Sequence, residues 1–340
     1  MKSIHCASPP MPLRAAPPCR AFSPTAEVGI GSRGNRLFVF GVGFVGRYVS
    51  NQLLKQGWRV SGTCVCPVKR RELEMMGVDS FVFDAKKNDL RSLHTLEDAT
   101  HVLISIPPLI GLGDPLLTFH LEDLQSTLGH GNLQCLCYLS STSVYGDCGG
   151  AWVDEDSAVN PASEAAKLRY AAEKGWQQFG CELGVPVNIF RLGGIYGPGR
   201  SAINTVFKQK SPSKEQKKRE LKHYTARVHV ADIYQALYAS FNMPSSGRVY
   251  NVVDDDPAPR EVVFDFARDL IEKRWPEKTI VVQSQDKTED IESPQRGKVG
   301  GEKRVSNARL KKELGIRLLY PSYKSGLQNI LDSMCGDPQL

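Results

Sequence analysis

A glycine-rich turn after the first apolar segment limits what this chain can fold into. Residues 37–40 are apolar and lead into Gly41-Val42-Gly43-Phe44-Val45-Gly46, and a helical pattern over residues 47–56 follows directly. A strand that ends in such a turn and continues as a helix aims free N–H groups at a bound pyrophosphate. In that arrangement Gly41 permits the tight turn, Gly43 lets the phosphates approach the backbone, and Gly46 lets helix and strand pack closely. The segment predicts dinucleotide binding; a glycine turn without a ligand is the alternative.

Apolar segments alternate with helical patterns along the next 150 residues. Strands are predicted at residues 59–64, 80–83, 101–106, 133–139 and 187–190, and helices include 118–128 and 163–184. Such alternation produces right-handed crossovers and a parallel sheet. The predicted fold class is α/β, a Rossmann-type doubly wound parallel sheet with a small C-terminal substrate lobe. We expect the strand order 3-2-1-4-5-6, ligands at the carboxyl ends of the strands, a dinucleotide-binding core over 35–196 and the smaller lobe over 197–340.

Length and charge restrict the partners. The 340 residues suffice for one large α/β domain or for a dinucleotide domain with a smaller lobe. The net charge of +6 gives no argument for nucleic acid, because half of it comes from the first 34 residues. No apolar stretch approaches the roughly 18 residues that a membrane span needs. We therefore expect no membrane contact, and we do not expect nucleic acid as a partner.

Residues 1–34 have the composition of a targeting segment. They are rich in Ser, Ala, Pro and Arg, and the first 26 contain no acidic residue. They lack the unbroken apolar core of a secretory signal, which favours an organellar transit peptide. Six prolines between residues 9 and 24 argue against the amphipathic helix typical of mitochondrial import. We predict import into the chloroplast stroma; a disordered cytosolic tail is the alternative.

Nine cysteines include two closely spaced pairs, Cys64-x-Cys66 and Cys135-x-Cys137. Both pairs are predicted to lie in strands, where a spacing of two places both side chains on one face. No histidine or second cysteine pair follows at a spacing typical of zinc sites. The thiols are therefore predicted to be core residues rather than metal ligands.

Four further segments accompany the glycine turn in a fixed order. They are Leu139-Ser140-Ser141-Thr142-Ser143-Val144-Tyr145-Gly146, Phe190-Arg191-Leu192-Gly193-Gly194-Ile195-Tyr196-Gly197-Pro198-Gly199-Arg200, Arg227-Val228-His229-Val230-Ala231-Asp232-Ile233 and Val249-Tyr250-Asn251-Val252-Val253-Asp254. From about residue 36 to 331 the chain resembles the extended short-chain dehydrogenase/reductase superfamily, in particular its NAD-dependent epimerase/dehydratase group. The resemblance implies a nicotinamide cofactor and a Ser/Thr–Tyr–Lys set. In that chemistry the tyrosine transfers a proton while a hydride moves to or from the nicotinamide.

The resemblance also assigns individual residues. It gives Ser141 the hydroxyl that fixes the substrate oxygen, whereas a serine that only caps local backbone is the alternative. It places Asp84, after the third strand, beside the adenine. It suggests a homodimer through the helices of the fourth and fifth crossovers. Together with two cations that follow the second strand, the predicted cofactor-binding residues are Gly41, Gly43, Phe44, Val45, Gly46, Lys69, Arg70, Asp84 and Ser105.

The helix after the fifth strand departs from the family pattern Tyr-x-x-x-Lys-Leu-x-x-Glu. Alignment on the Ala-Ala-Glu of residues 171–173 places Ala165 at the tyrosine position and Arg169 at the lysine position. Arg169 can hydrogen-bond ribose hydroxyls or a phosphate, but it cannot shuttle protons. A solvated helix arginine is the alternative. Ser141 and Arg169 are the two predicted catalytic residues.

Two other alignments of this helix with the family pattern also place no tyrosine on the side that faces the cofactor. Tyr170 and Lys174 form a Tyr-x-x-x-Lys five residues later, where a helix has turned by roughly 140° from the cofactor face. A register on Lys167 has Ser163 at the tyrosine position. The usual proton donor is missing in every register that faces the cofactor.

The end of the second strand bears on the choice of cofactor. NAD enzymes carry an Asp or Glu there for the ribose 2′-hydroxyl. This chain has Cys64 instead, followed by the cations Lys69, Arg70 and Arg71. We predict NADP, with NAD as the alternative; the cations could also simply begin a solvated helix.

Two functions remain open at this point. One is an NADP-dependent oxidoreductase or epimerase/dehydratase-like enzyme acting on a small polar or sugar-derived substrate, with a degenerate Tyr-x-x-x-Lys site. The other is a non-catalytic dinucleotide-binding sensor or scaffold, favoured by the missing tyrosine. RNA binding rests only on the Lys-rich segment 208–222, which has no aromatic stacking platform and is more simply a solvated surface.

Overall fold

The computed structural model describes residues 34–208, 223–243, 247–276 and 302–334. These residues form one compact unit. Residues 1–33 of the predicted transit peptide and residues 209–222 of the Lys-rich segment lie outside the described residues. Within these ranges, no helix is both long enough and apolar enough to cross a membrane.

A seven-stranded parallel sheet forms the centre of the molecule. Its strands are β1 (Arg36–Phe40), β2 (Arg59–Cys64), β3 (Asp79–Val82), β4 (His101–Ile104), β5 (Cys135–Ser141), β7 (Val187–Leu192) and β10 (Val249–Val252). Their spatial order is β3-β2-β1-β4-β5-β7-β10. The predicted α/β Rossmann-type fold and the order of the first six strands are confirmed. The seventh strand, which pairs with β7 in parallel, extends the sheet beyond the prediction.

Two short parallel ladders lie outside this sheet. In the first, β6 (Trp152–Val153) pairs with β11 (Arg304–Val305), and in the second, β8 (Gly194–Tyr196) pairs with β9 (Arg227–His229). Both ladders join segments that are far apart in the chain. They bring residues 223–229 and 302–305 toward the carboxyl ends of β5 and β7, where ligands of such folds bind.

Ten helices of the described part connect the strands. They are α1 (Phe44–Lys55), α2 (Pro67–Met75), α3 (Pro115–Phe119), α4 (Leu121–Gly129), α5 (Glu164–Leu183), α6 (Ala202–Phe207), α7 (Val230–Asn242), α8 (Arg260–Arg274), α9 (Ala308–Leu314) and α10 (Tyr323–Asp332). The single helix predicted over 118–128 is wrong, because α3 and α4 meet at His120, whose φ of −130° interrupts the helix. The Asp114 carboxylate caps α3 by accepting hydrogen bonds from the Leu116 and Leu117 N–H groups, so the helix begins before the predicted residue 118. The sequence pattern did not indicate this cap.

Apolar residues cover both faces of the sheet, as a doubly wound fold requires. One cluster packs α1, α7 and α9 on the sheet, and another packs α4 and α5 on its other face. A third cluster consists of residues from Tyr196 onward and joins α6, α8 and α10. This cluster gives the C-terminal part a core of its own. The domain boundary at residue 196, between the dinucleotide-binding core and the smaller lobe, stays a prediction.

The two cysteine pairs differ in their surroundings. Cys135 and Cys137 lie in β5, buried, with their sulfur atoms 3.8 Å apart, as predicted for core thiols. The prediction for the other pair is wrong in part. β2 ends at Cys64, and Cys66 is a half-buried residue that precedes α2 as its N-cap. Pro67 at the first helical position explains this, since its ring favours the start of a helix over a longer strand.

A buried histidine makes the stability of this core depend on pH. His101 lies between Trp58 and Phe241, with ring centroids 5.0 and 4.9 Å away. Burial lowers its pKa from 6.5 to about 4. Since the folded state binds the proton more weakly than the unfolded state, His101 stabilises the fold above pH 6.5. That stability is lost as the pH falls toward 4.

We expect the substitution His101→Leu to flatten this pH dependence. Between pH 7 and 4.5 the wild-type protein should lose about 2–3 kcal/mol of unfolding free energy through His101, and the variant should not. Urea unfolding of both proteins at the two pH values measures the difference. Each protein is compared with itself, so a constant cost of the substitution cancels. Equal pH dependence in the two proteins would show that His101 is not the group responsible.

Candidate functional site

A cleft of about 670 Å³ opens at the carboxyl ends of the central strands. Glycines, hydroxyl side chains and cations dominate its walls. The lining residues are Gly41, Gly43, Phe44, Val45, Ser105, Pro107, Leu139, Ser140, Ser141, Thr142, Ser143, Arg169, Leu192, Gly193, Gly194, Ile195, Arg200, Tyr224, Thr225, Ala226 and Lys303. They include three cations and no carboxylate, so the cleft suits an anionic ligand.

The glycine turn has the backbone geometry that a phosphate needs. Gly41 has φ +85°, and a Cβ there would lie 2.9 Å from the Ile106 side chain. A Cβ on Gly46 would lie 3.2 Å from Val39 and 3.3 Å from the Gly41 carbonyl oxygen, so helix and strand are in close contact. A Cβ on Gly43 would meet nothing within 4 Å. Gly43 therefore leaves open space over the turn, where a ligand can approach the backbone.

The first turn of α1 offers hydrogen-bond donors to this space. Gly43 is the N-cap of α1 and has no side chain to cap the helix. The first N–H groups of a helix have no intrahelical acceptor, and the helix dipole places partial positive charge there. Phe44 and Val45, the first two residues of α1, line the cleft. These residues fit the pyrophosphate of a dinucleotide.

Ser141 lies at the end of β5 and lines the cleft. Its hydroxyl oxygen accepts a hydrogen bond of 3.2 Å from the Ser143 N–H and so caps the 3₁₀ turn Thr142–Tyr145. Capping uses the oxygen as an acceptor, and the hydroxyl proton can still be donated to a ligand. The local capping position and a contact with substrate are compatible in this geometry.

The helix α5 presents Arg169 to the cleft. Its Nη1 donates to the carbonyl oxygen of Leu139 at 3.1 Å, which holds the guanidinium beside the end of β5. Ala165 is exposed and does not line the cleft. Tyr170 also lies outside the cleft lining; it packs with Val144 and Tyr145, and the Lys174 amine stands 5.3 Å from its ring centroid. No tyrosine of α5 therefore reaches the cleft.

The other predicted cofactor residues lie outside the cleft lining, apart from Ser105. Lys69 and Arg70 are exposed on the first turns of α2, and Arg70 pairs with Glu74 at 2.7 Å. Asp84 accepts the Lys86 N–H and lies 3.7 Å from the Lys87 amine. These residues follow the carboxyl ends of β2 and β3, as the glycine turn follows the carboxyl end of β1. Their roles in cofactor binding stay predictions.

A buried polar network supports the end of β5, and sequence reasoning did not find it. The Glu173 carboxylate accepts the Ser140 hydroxyl and two Arg191 donors, Nη2 at 2.8 Å and Nε at 3.1 Å. The Arg191 guanidinium also lies 4.9 Å from the Tyr145 ring centroid, and the Tyr145 hydroxyl donates to Asn251. Burial lowers the pKa of Arg191, but the Glu173 carboxylate outweighs this and raises it.

Tyr224 and Lys303 also line the cleft and were not predicted. Lys303 donates to the carbonyl oxygen of Gly146 at 2.9 Å, and Tyr224 precedes β9. Both come from segments that the two short ladders carry to the cleft. Neither lies in a motif, so only the fold could reveal them.

Comparisons with known proteins identify similar sequences and similar structures. No protein-family model matches it. Protein YeeZ of Escherichia coli (strain K12) is 26% identical over 291 residues, which cover 84% of this chain and 96% of YeeZ. The dTDP-glucose 4,6-dehydratase of Bacillus anthracis, solved in complex with NAD, is 16% identical, with a TM-score of 0.68 over 88% of this chain and 96% of its own.

A structure with higher identity decides the family. A functionally unknown conserved protein from Silicibacter pomeroyi DSS is 33% identical and has a TM-score of 0.67 over 88% of this chain and 98% of its own. The solved structures that share the fold also include a UDP-glucuronic acid 4-epimerase from Bacillus cereus in complex with NAD, 18% identical with a TM-score of 0.64 over 87% of this chain and 98% of its own. The chain therefore belongs to the same protein family as the Silicibacter pomeroyi protein and has the Rossmann-type fold of these enzymes.

Proposed function

We propose that the protein is a nicotinamide-dinucleotide-dependent oxidoreductase or epimerase/dehydratase-like enzyme that acts on a small polar or sugar-derived substrate. The glycine turn carries this proposal, because its open backbone and uncapped helix start face a cleft lined by hydroxyls and cations. A bound dinucleotide would supply hydride transfer. Enzymes of the same fold that are named for sugar nucleotides were solved in complex with NAD, which supports a nicotinamide dinucleotide as the cofactor.

Residues of this chain have separate tasks under the proposal. The first N–H groups of α1 bind the pyrophosphate. Arg169 hydrogen-bonds ribose hydroxyls or a phosphate. The Ser141 hydroxyl holds the substrate oxygen, and Gly193 and Gly194 also line the cleft.

Calorimetry with NADPH and NADH, followed by turnover with a panel of carbonyl compounds and sugar nucleotides, tests the proposal. Cofactor binding with turnover of a panel member supports it. The absence of cofactor binding would contradict it. Tight binding without turnover would favour the second candidate, a non-catalytic dinucleotide-binding sensor or scaffold. Ala165 at the usual tyrosine position is the observation in favour of that candidate.

We propose NADP as the preferred cofactor, with NAD as the alternative. β2 ends at Cys64 without a carboxylate, and Lys69 and Arg70 follow on α2. The ion pair of Arg70 with Glu74 is exposed, so a phosphate can compete for the guanidinium at a cost below about 1 kcal/mol.

The double substitution Lys69→Ala and Arg70→Ala should weaken NADPH binding more than NADH binding. One charge-assisted phosphate contact contributes about 1.5–3 kcal/mol, so the ratio of the two Kd values should change roughly tenfold or more. Calorimetry with both cofactors measures it. Lys273→Ala with Arg274→Ala removes the same charge from the exposed end of α8 and serves as the control. Equal losses for both cofactors would place the 2′-phosphate elsewhere.

The assignments to the chloroplast stroma and to a homodimer remain proposals as well. The first depends on residues 1–34 and the second on the helices α4 and α5. A fluorescent fusion of residues 1–34 that stays in the cytosol would contradict the first. Light scattering that gives the mass of one chain would contradict the second.

A further inference from the structure

A tyrosine outside the helix α5 lines the cleft. Among the described residues that line it, Tyr224 is the one tyrosine. Its hydroxyl makes no hydrogen bond within the described part of the chain. Tyr145, by contrast, donates its hydroxyl to Asn251 and is buried. Tyr224 is therefore a cleft residue whose hydroxyl no described residue holds in a hydrogen bond.

The described lining of the cleft leaves few groups that can transfer a proton. It contains no carboxylate, histidine or cysteine. The guanidinium groups of Arg169 and Arg200 do not lose a proton in proteins. The Lys303 amine donates to the Gly146 carbonyl oxygen. Aliphatic hydroxyls are far weaker acids than a phenol, so the Tyr224 phenol and the Lys303 amine are the two lining groups suited to general acid–base chemistry. Of the two, Tyr224 is the one whose polar group makes no hydrogen bond to a described residue.

The surroundings hold the Tyr224 ring in place. Gly150 has φ +79°, and a Cβ there would lie only 3.1 Å from Cε2 of Tyr224, so the ring rests on bare backbone. On another side the Arg304 guanidinium lies 4.9 Å from the ring centroid. Arg304 is itself fixed, since its Nε donates to the Gly150 carbonyl oxygen at 2.8 Å and it stacks on Trp152.

We propose that Tyr224 supplies the proton that the tyrosine-free helix α5 cannot supply; the inference rests on the proposed function. In the reducing direction the substrate carbonyl carbon receives a hydride from a reduced nicotinamide dinucleotide and forms a C–H bond. The carbonyl π electrons move to oxygen, which takes the proton from Tyr224 Oη. The resulting phenolate regains a proton from solvent water, and the oxidising direction reverses each transfer.

Chemical modification tests the position of the phenol without any turnover. Tetranitromethane should nitrate Tyr224 in the free protein, and saturating NADPH should slow that nitration at least about tenfold. Peptide mass spectrometry measures both rates. Tyr238, half-buried on α7 and outside the cleft lining, serves as the control and should react equally in both states. Equal rates at Tyr224, in a protein that binds NADPH by calorimetry, would overturn the inference.

Turnover tests the proton transfer itself. Tyr224→Phe should lower kcat about a hundredfold or more for the panel substrate turned over by the wild type, and NADPH affinity should not change. Tyr170→Phe is the matched control and should leave kcat within about twofold, because Tyr170 lies outside the cleft. Full activity of Tyr224→Phe would overturn the inference and leave the proposed function standing. Failure of the wild type to bind NADPH or NADH would overturn the proposed function itself. Binding without any turnover would overturn the inference in favour of the non-catalytic candidate.

Discussion

The substitution Gly43→Val should abolish dinucleotide binding while the protein stays folded. The Gly43 backbone has φ −88°, which any residue adopts, and an added Cβ meets no protein atom within 4 Å. The valine side chain therefore occupies the space over the turn without disturbing the core. A pyrophosphate that cannot reach the N–H groups of α1 loses at least two charge-assisted hydrogen bonds. At about 1.5–3 kcal/mol each, this loss raises the Kd more than about a hundredfold.

Calorimetry with NADPH measures the affinity, and a thermal melt checks the fold. Valine is a poor N-cap, so a loss of up to about 1 kcal/mol of stability is expected and does not affect the interpretation. Gly34→Val, made like Gly43→Val in the full-length chain, is the matched control, because a Cβ on Gly34 also meets nothing within 4 Å and Gly34 lies outside the cleft lining. Unchanged affinity in Gly43→Val would remove the phosphate-binding assignment, and with it the basis of the proposed function.

The glycine turn could be predicted because its chemistry is local. The positive φ of Gly41 and the contact of Gly46 with Val39 both arise within ten residues of sequence. The first six sheet strands were predictable for a similar reason, since each is a short segment with apolar residues that alternates with a helical pattern. The order of these strands was expected from the Rossmann-type fold that the glycine turn and this alternation indicate.

The residues that the sequence did not reveal depend on contacts between distant segments. Tyr224 reaches the cleft because β9 pairs with β8, and Lys303 because β11 pairs with β6. The strands of these ladders are two or three residues long, too short for a periodic pattern. The strand β10 was visible as the motif Val249 to Asp254 but not as a sheet strand, because strand and helix patterns alternate less regularly between β7 and β10 than in the first part of the chain.

Glu173 shows why helical periodicity alone does not identify a buried charged residue. It lies on α5 between the alanine at 172 and the lysine at 174, where a glutamate usually faces solvent. In the fold it is 1% exposed and binds Arg191, which is 4% exposed. Burial of either charged side chain without the other among apolar residues would cost free energy. Only the juxtaposition of α5 with β7 makes the pair stable, and sequence spacing does not give that juxtaposition.

The substitution Glu173→Ala should therefore be among the most destabilising single changes in the protein. It leaves the Arg191 guanidinium buried without its counter-charge, which costs about 3–5 kcal/mol. It also removes the acceptor of the Ser140 hydroxyl beside Ser141. Urea unfolding at pH 7 measures the loss. Asp265→Ala breaks the exposed ion pair with Arg268 and should cost less than about 1 kcal/mol.

A second substitution separates the lost charge from the lost volume. If the unpaired guanidinium causes the instability, Glu173→Leu combined with Arg191→Met should be more stable than Glu173→Ala, because an apolar pair of similar size replaces both charges. If the double variant is as unstable as Glu173→Ala, packing around α5 is the cause instead. The double variant also reports on the cleft. Weaker NADPH binding in a fully stable double variant would mean that the ion pair, through Ser140, holds the end of β5 in the position that the cofactor needs.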